Sequence, residues 1–158
     1  MKLLTKFAAR IKQRAPDFII GGEDDPYLLR WFVLPRNPVF NLYLHEFRRS
    51  DDDRALHDHP YLFNCSVIVE GWYFEHAGGR IRLRRPGEVK FRWGRSPHRV
   101  ELLPGVSPSK NGFVPCTTFF FTGPRVRQWG FYCPQGWVHW KKFTASHDKG
   151  AIGKGCDQ

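Results

Sequence analysis

Short apolar runs separated by turn-forming residues cover most of this 158-residue chain. From Tyr27 onward the runs are rich in Val, Ile, Phe, Tyr and Trp, and clusters of Gly, Pro, Asn and Asp interrupt them at intervals of about ten residues. Gly78 and Gly79 indicate a tight hairpin turn, because glycine accepts the positive φ that such turns require. The predicted strands cover residues 28–34, 40–47, 62–70, 72–76, 80–84, 89–93, 99–103, 117–122, 126–132 and 138–143. About ten short strands with almost no helix predict an all-β antiparallel sandwich or barrel.

The N-terminus follows a helical pattern instead. Leu3, Phe7 and Ile11 recur at helical spacing, and the first fourteen residues contain several Lys and Arg but no acid. Pro16 marks the end of this helix. A short basic amphipathic helix can contact membrane lipid or nucleic acid. The favoured interpretation is that it lies across the domain with its charges in water.

The chain is expected to form one domain. Its 41% hydrophobic and 16% aromatic residues are enough for a core, which excludes a disordered or low-complexity chain. The N-terminal helix takes residues 1–16, and the β domain takes residues 17–143. Residues 144–158 lack apolar periodicity and are expected to form a loose tail.

Hydropathy, the N-terminal segment and the cysteine pattern indicate the cellular location of the protein. The sequence contains no apolar run of about 18 residues, so no membrane span is expected. The N-terminus lacks the features of a secretory signal, which predicts a cytoplasmic location. The four cysteines, Cys65, Cys116, Cys133 and Cys156, are scattered without a CxxC pattern, which fits neither a disulfide framework nor a zinc finger. Cys65 lies in an apolar run and is expected to be a buried, inert thiol.

Three histidines carry the clearest chemical signal. In an extended chain His57 and His59 point to the same face, about 6–7 Å apart, so both imidazoles can reach one ion. His98 lies on a later predicted strand boundary and can supply a third nitrogen. Three nitrogens on one face of a divalent metal leave other positions open to water or substrate, as in catalytic metal sites.

The spacing around these histidines resembles the first motif of the cupin superfamily. In that motif HxH is followed by four residues, a glutamate, six residues and a glycine. His57, His59, position 64 and Gly71 reproduce these gaps. The interval from Gly87 to His98 is similar to the second cupin motif, which runs from a glycine to a histidine.

The resemblance implies a double-stranded β-helix, or jelly-roll barrel, with a metal inside its mouth. The sequence segments LHDHP, GWYFE and TGPRVRQWGF also resemble segments of small single-domain cupin-like proteins from bacterial and phage genomes. Cupins often pair through sheet edges or aromatic strands, so the resemblance also implies a homodimer that holds a small-molecule ligand in the barrel.

The chain departs from the family pattern at the metal site. Asn64 stands where cupins carry a metal-binding glutamate, and Trp93, Arg95 and Leu102 replace residues of the second motif. A neutral amide is a weaker ligand than a carboxylate. The resemblance to the three-histidine thiol dioxygenase branch favours Fe²⁺, with Zn²⁺, Mn²⁺, Ni²⁺ and Cu²⁺ as other candidates. The alternative is that the metal has been lost and the histidines are structural.

Tyr43 and His45 lie on the strand that leads to the metal segment and share one face. If that face is interior, they would line the pocket and act on a substrate, orienting it or moving a proton. Asp58 points away from His57 and His59, which favours a surface or turn role over support of the ligands. The run Asp51 to Asp53 lacks the spacing of a calcium loop and is interpreted as a solvated loop.

The formal net charge of +10 points to an anionic partner. Arg80, Arg82 and Arg84 alternate along one predicted strand and therefore share a face. Arg82 and Arg84 are candidates to bind a substrate carboxylate or phosphate. A nucleic-acid interface and a solvated, arginine-rich face are the alternatives.

The sequence therefore predicts a metal-binding protein with a mononuclear three-histidine site. With iron the site suits a dioxygenase, and with zinc or manganese it suits an isomerase or lyase, in each case acting on a small anionic molecule. The alternative is a non-catalytic accessory protein that binds a small ligand or nucleic acid, with a phage-associated role as one option.

Overall fold

A computed structural model describes residues 1–51, 55–105, 112–145 and 153–157 of the chain. The described part is dominated by antiparallel strands with a short helix near each end. The elements in chain order are α1 (Lys2–Ile11), β1 (Phe18–Ile20), β2 (Leu28–Phe32), β3 (Asn41–Phe47), β4 (Leu56–His57), β5 (Phe63–Glu70), β6 (Tyr73–Ala77), β7 (Arg80–Arg84), β8 (Val89–Trp93), β9 (Arg99–Leu102), β10 (Cys116–Thr122), β11 (Gly130–Cys133), β12 (Gly136–His139) and α2 (Trp140–Phe143). The predicted all-β fold with an N-terminal helix is confirmed.

Three sheets share the strands. The large sheet has the order β1-β2-β3-β10-β5-β8, and the two smaller sheets have the orders β7-β6-β9 and β12-β11-β4. Strands β7 and β8 each lie at an edge of their sheet. A core of Ile68 from the large sheet with Tyr73, Val100 and Leu102 from the β7-β6-β9 sheet packs these two sheets against each other. The packing encloses an interior onto which alternate residues of each strand point.

The two faces of the large sheet differ in polarity. Trp31, Leu44 and Phe119 form an apolar cluster on the outer face, together with Ala8 of α1. The inner face carries buried polar groups at the alternate positions, including His45 and Asn64. The outer face is thus apolar and covered by a helix, whereas the inner face carries buried polar groups.

Helix α1 lies across the outer face of the large sheet. Ala8 is fully buried against the sheet, whereas Leu3 is 80% exposed. Lys12, just past the helix, lies 2.9 Å from Glu46 and 3.2 Å from Glu70, so it ties the helix to β3 and β5. Burial alone would lower the pKa of Lys12, but the two carboxylates outweigh it and raise the pKa. The interpretation that the helix packs on the domain agrees with this placement.

The Gly78-Gly79 turn joins β6 to β7 as expected, with φ of +56° and +70°. Two sequence predictions near the C-terminus are wrong. The strand expected at 126–132 begins only at Gly130, and the strand expected at 138–143 gives way to α2 at Trp140. The sequence pattern also missed β1 and β4, because runs of two or three residues are too short to show periodicity.

A disulfide joins Cys133 to Cys156, although the scattered cysteines did not indicate a disulfide framework. The backbone N–H groups of Gly153 and Gly155 both donate to the carbonyl of Phe143, at 3.1 Å each. Residues 153–157 are therefore attached to the domain and not loose, while residues 146–152 and 158 of the expected tail lie outside the described residues. The pairing was missed because the two cysteines are distant in sequence and only the fold brings them together.

The free thiols also differ from expectation. Cys65 is only partly buried, and the inert, fully buried thiol is Cys116. Burial raises the pKa of Cys116 to about 12. Within the described residues, no helix is long and apolar enough to cross a membrane.

Candidate metal centre

The three predicted histidines come together where β4 meets the start of β9. The backbones of His57 and His98 pair directly, with N–H to carbonyl distances of 2.9 and 3.0 Å. His59 follows two residues after His57 and returns to the same face. Each of the three histidines offers one ring nitrogen, and these nitrogens all lie within 4.8 Å of one another. The backbone pairing thus explains why residues 41 positions apart present their imidazoles to one point.

The Nε2 atoms of His59 and His98 are 2.9 Å apart. Burial is the largest cause that lowers the pKa of both rings. The positive charge of Arg92 and the neighbouring imidazoles lower these pKa values further. Both rings are therefore neutral near pH 7 and keep a nitrogen lone pair, which is the form that binds a metal.

Two carboxylates lie behind the imidazoles. Asp51 Oδ2 is 3.5 Å from His57 Nδ1, and Glu75 Oε1 is 4.0 Å from His98 Nδ1. Metal-binding histidines usually present their second ring nitrogen to such an acceptor, which sets the tautomer and the ring orientation. At these distances the carboxylates are neighbours of Nδ1 and not hydrogen-bond partners, and His98 Nδ1 has no hydrogen-bond partner within the described residues.

The position of Asp51 corrects the expectation of a solvated loop. Asp51 is buried, accepts a 2.6 Å hydrogen bond from the Val100 N–H, and also accepts the Tyr27 hydroxyl. Asp52 and Asp53 lie outside the described residues. Three consecutive aspartates carry no sequence signal that singles out the first, so only the contacts across strands identify it.

Glu75 was not among the predicted site residues, although it is only 2% exposed. Arg84 donates to Oε2 at 2.6 and 2.8 Å, and Arg92 donates to Oε1 through Nε at 2.8 Å and also through Nη2. Burial alone would raise the pKa of Glu75, but Arg92 and Arg84 outweigh it and lower the pKa. The sequence did contain a signal for this role. Glu75 is a charged residue at an alternate position of β6, on the same inward-facing side as the buried Tyr73.

Asn64 lies on β5, opposite Arg92 on β8 and Thr122 on β10. Its side chain is fully buried, and neither its oxygen nor its nitrogen has a hydrogen-bond partner within the described residues. A buried amide without a partner costs roughly 1–3 kcal/mol, so its retention calls for a ligand or an ordered water. This fits the predicted role of Asn64 beside a metal, a role that stays a prediction.

Tyr43 and His45 are both buried on the inner face of β3. The His45 ring stacks on Phe120 with centroids 5.0 Å apart, and Phe120 in turn is 5.7 Å from the His59 ring. The Arg30 Nε–H donates to His45 Nε2 at 2.8 Å. The Phe120 ring therefore lies between His45 and His59 of the histidine cluster, and the Tyr43 ring stacks on His45 at 5.7 Å.

The electrostatics of this pair define its protonation. Burial, with contributions from Arg30 and His59, lowers the pKa of His45 well below its usual value, so the ring is neutral. Burial and Tyr61 raise the pKa of Tyr43 to about 12, although Arg30 opposes them, so the phenol keeps its proton. A neutral imidazole and a phenol can hold protons for a bound molecule. Their catalytic role remains a prediction.

Asp58 corrects another expectation, because it is fully buried and has no surface or turn role. It accepts hydrogen bonds from the Gly130 N–H at 2.8 Å and from Arg127 at 2.7 Å. Trp137 Nε1 and the Tyr132 hydroxyl donate to it at 3.3 and 3.4 Å. The side chain points away from the imidazoles and anchors β11 and β12 beside them.

The two predicted substrate-binding arginines have different surroundings. Arg84 is bound to Glu75, and its guanidinium also reaches Glu88 at 3.3 Å. Arg82 is exposed and lies opposite Glu75 across the β6-β7 pair. Both arginines thus lie beside Glu75, whose Oε1 is 4.0 Å from His98 Nδ1.

Comparisons with known proteins support the fold. No protein-family model matches the chain, and a search of curated proteins found no match. An uncharacterized protein with a double-stranded β-helix domain from Klebsiella pneumoniae is similar over 72% of this chain and 90% of its own, with 12% identity and a TM-score of 0.50. The polyketide cyclase RemF from Streptomyces resistomycificus is similar over 72% of this chain and 75% of its own, with 18% identity and a TM-score of 0.50.

At such identities the similarity concerns the fold alone. It agrees with the strand order, with the interior between two packed sheets and with the motif spacing of the histidines. The chain has a double-stranded β-helix fold.

Proposed function

We propose that this protein holds one divalent metal ion with His57, His59 and His98 and uses it to transform a small anionic molecule. The observation that carries the proposal is the convergence of three ring nitrogens within 4.8 Å inside the barrel. Neutral imidazoles suit Fe²⁺, which we favour, and also Zn²⁺, Mn²⁺, Ni²⁺ and Cu²⁺. The unpartnered amide of Asn64 supplies a weak fourth ligand or holds a water.

Three protein ligands leave coordination positions open, so a bound ion would act as a Lewis acid or, for iron, as a redox centre. Other residues of this chain bind and orient the molecule. Arg30 places a positive charge inside the barrel, 4.9 Å from the Tyr43 ring centre, which attracts an anion. His45 and Tyr43 hold protons at that end of the interior.

Metal content tests the proposal directly. The purified wild-type protein should contain about one equivalent of metal by elemental analysis, as expected for a mononuclear site. The variant His57→Ala/His98→Ala should contain almost none, because one imidazole cannot hold the ion. His139→Gln, which changes a histidine outside the cluster, should match the wild type. Equal metal content in the wild type and the double variant would discard the site.

The nature of the metal then separates two reaction classes. If the ion is iron, oxygen consumption in the presence of small thiols or organic acids indicates a dioxygenase. If the ion is zinc or manganese, no oxygen is consumed and isomerase or lyase activity is expected. A protein that binds a small anion in the barrel and transforms nothing would support the alternative of a binding module, which the neutral Asn64 in place of a carboxylate favours.

The proposal includes a homodimer in the cytoplasm. Edge strand β8 exposes Val89, Phe91 and Trp93 on its outer side, which is an apolar surface of the kind that pairs two copies. Light scattering that gives the mass of a single chain would contradict the dimer. A disulfide between Cys133 and Cys156 is unusual in a reducing compartment, so fractionation of cells with a thiol-trapping reagent tests the location.

A further inference from the structure

An open cleft lies at the seam between the two packed sheets, where edge strands β7 and β8 face each other. The cleft has a volume of about 370 Å³, and its walls include four cationic side chains and one carboxylate: Arg80, Arg82, Arg84, Lys90 and Glu75. A smaller cavity of about 140 Å³ shares Glu75 and Lys90 with it and reaches His98. The seam therefore contains a space of ligand size with an excess of positive charge.

The carboxylate in this cleft is already neutralised. Glu75 accepts hydrogen bonds from both Arg84 and Arg92, so it has no capacity left for the other cations. The side chains of Arg80, Arg82 and Lys90 make no hydrogen bond or ion pair within the described residues. These three unpaired cations attract an anion from solution, and the concave walls limit its size.

The geometry of the cations indicates the shape of that anion. Arg80, Arg82 and Arg84 occupy alternate positions of β7, so their side chains share one face at intervals of about 6–7 Å. Lys90 approaches from β8, on the other side of the seam. A planar carboxylate with one charge satisfies one guanidinium, whereas the oxygens of a tetrahedral dianion accept donors from several directions.

We propose that this seam cleft is a binding site for a phosphate group, either inorganic phosphate or the phosphate of a small phosphomonoester. The site is separate from the proposed metal centre. It lies on the side of His98 where Nδ1 is 4.0 Å from Glu75 Oε1, and the other ring nitrogen of His98, Nε2, approaches His59 Nε2. Phosphate binding in the cleft is therefore independent of the metal.

Binding of inorganic phosphate, followed by calorimetry at constant ionic strength, tests the site. The variant Arg80→Gln/Arg82→Gln should raise the phosphate Kd at least about tenfold, because two charge-assisted partners are lost. Both side chains are exposed and unpaired, so the variant should fold normally. Arg10→Gln/Arg125→Gln removes the same charge from exposed positions outside the cleft and should leave the Kd unchanged. Acetate should bind at least about tenfold more weakly than phosphate.

Two further samples identify the source of the signal. Metal-free wild-type protein and the His57→Ala variant, with metal content measured on the same samples, should bind phosphate as tightly as the metal-loaded wild type. Loss of binding in either sample would place the phosphate at the metal and overturn the assignment. An equal Kd in the Arg80→Gln/Arg82→Gln variant would overturn it as well.

A polymer of phosphates is the remaining source of the same chemistry. A single-stranded oligodeoxythymidylate of about 12 nucleotides serves as the probe. If it binds at least about a hundredfold more tightly than phosphate and depends on Arg80 and Arg82, the cleft belongs to a nucleic-acid interface and the small-phosphate assignment is wrong. Binding no tighter than phosphate supports the assignment. A protein that binds phosphate in the cleft but holds no metal would refute the proposed function and leave this site in place.

Discussion

The ion-pair triad of Arg84, Glu75 and Arg92 joins the two sheets beside the proposed metal centre, and its removal should be costly. Glu75 lies on β6 of the small sheet, while Arg92 lies on β8 of the large sheet. The substitution Glu75→Gln keeps the size and shape of the side chain and removes its charge. Two guanidinium groups then remain close together, and Arg92 is itself buried.

The magnitude follows from burial. Removing one partner of a buried ion pair costs about 3–5 kcal/mol, because the remaining charge stays desolvated without compensation. The free energy of unfolding of a typical domain is about 5–15 kcal/mol, so this loss is a large fraction of the total stability. Glu101→Gln is the matched control, since the Glu101 side chain is 41% exposed and pairs with Arg99 and His76, which are partly buried. Because solvent reaches the Glu101 carboxylate, the loss of its charge should cost only about 0–1 kcal/mol.

The effect should depend on pH in a defined direction. Because Arg92 and Arg84 lower the pKa of Glu75 in the folded protein, its contribution is complete above the usual carboxyl pKa of about 4.5. The contribution is lost as the pH falls through the lowered value, where protonated Glu75 resembles Gln. The stability difference between wild type and Glu75→Gln should therefore be constant from about pH 8 to pH 5 and shrink at lower pH.

Urea unfolding with linear extrapolation measures these differences. The double variant Glu75→Gln/Arg92→Met should lose less than the sum of the two single variants, with a coupling energy above about 1 kcal/mol, because it removes both buried charges together. A loss below about 1 kcal/mol for Glu75→Gln, or additive effects in the double variant, would refute the argument that this triad holds the sheets together.

Three other substitutions test contacts in the same unfolding assay. Cys133→Ser should destabilise the protein by about 3 kcal/mol in non-reducing buffer, since the disulfide closes a loop of 23 residues. Cys65→Ser, which removes a free thiol, is the control, and equal effects of the two substitutions would contradict this prediction. Ala8→Leu should lower the free energy of unfolding by about 1–3 kcal/mol, because the larger side chain does not fit between α1 and the sheet. An unchanged urea midpoint would show that the helix is not packed there. Asp58→Asn should cost about 2 kcal/mol, because the amide NH₂ would face the N–H donors that now bind the Asp58 carboxylate. An unfolding midpoint equal to that of the wild type would contradict this.

Much of the fold follows from local pattern. The strands at Arg80–Arg84 and Val89–Trp93 match their predicted bounds, and the turn at Gly78 and Gly79 lies where its glycines indicate. Alternation with a period of two is a property of the extended backbone, so it can be seen in a single sequence. The side-by-side placement of His57 and His59 has the same origin.

The supporting groups of the site could not be predicted in this way. Asp51 looks like any acidic loop residue, and its position behind His57 depends on the pairing of the Val100 N–H with its carboxylate. Asp58 follows the alternation that turns it away from the neighbouring imidazoles, but its burial depends on the pairing of β11 with β4. These contacts join residues about 50 to 70 positions apart, and each depends on which strands become neighbours.

The sequence by itself determined the strand content, the polarity of each strand face and the histidines that share one side, because backbone geometry and burial act on neighbouring residues. Only the tertiary structure decided the union of His98 with that pair, the neutralisation of Glu75 by two arginines, the Cys133–Cys156 bond and the basic cleft at the seam. Each of these arises from groups on different segments of the chain, and their contact exists only after the chain has folded, when burial makes an unpaired charge or polar group costly.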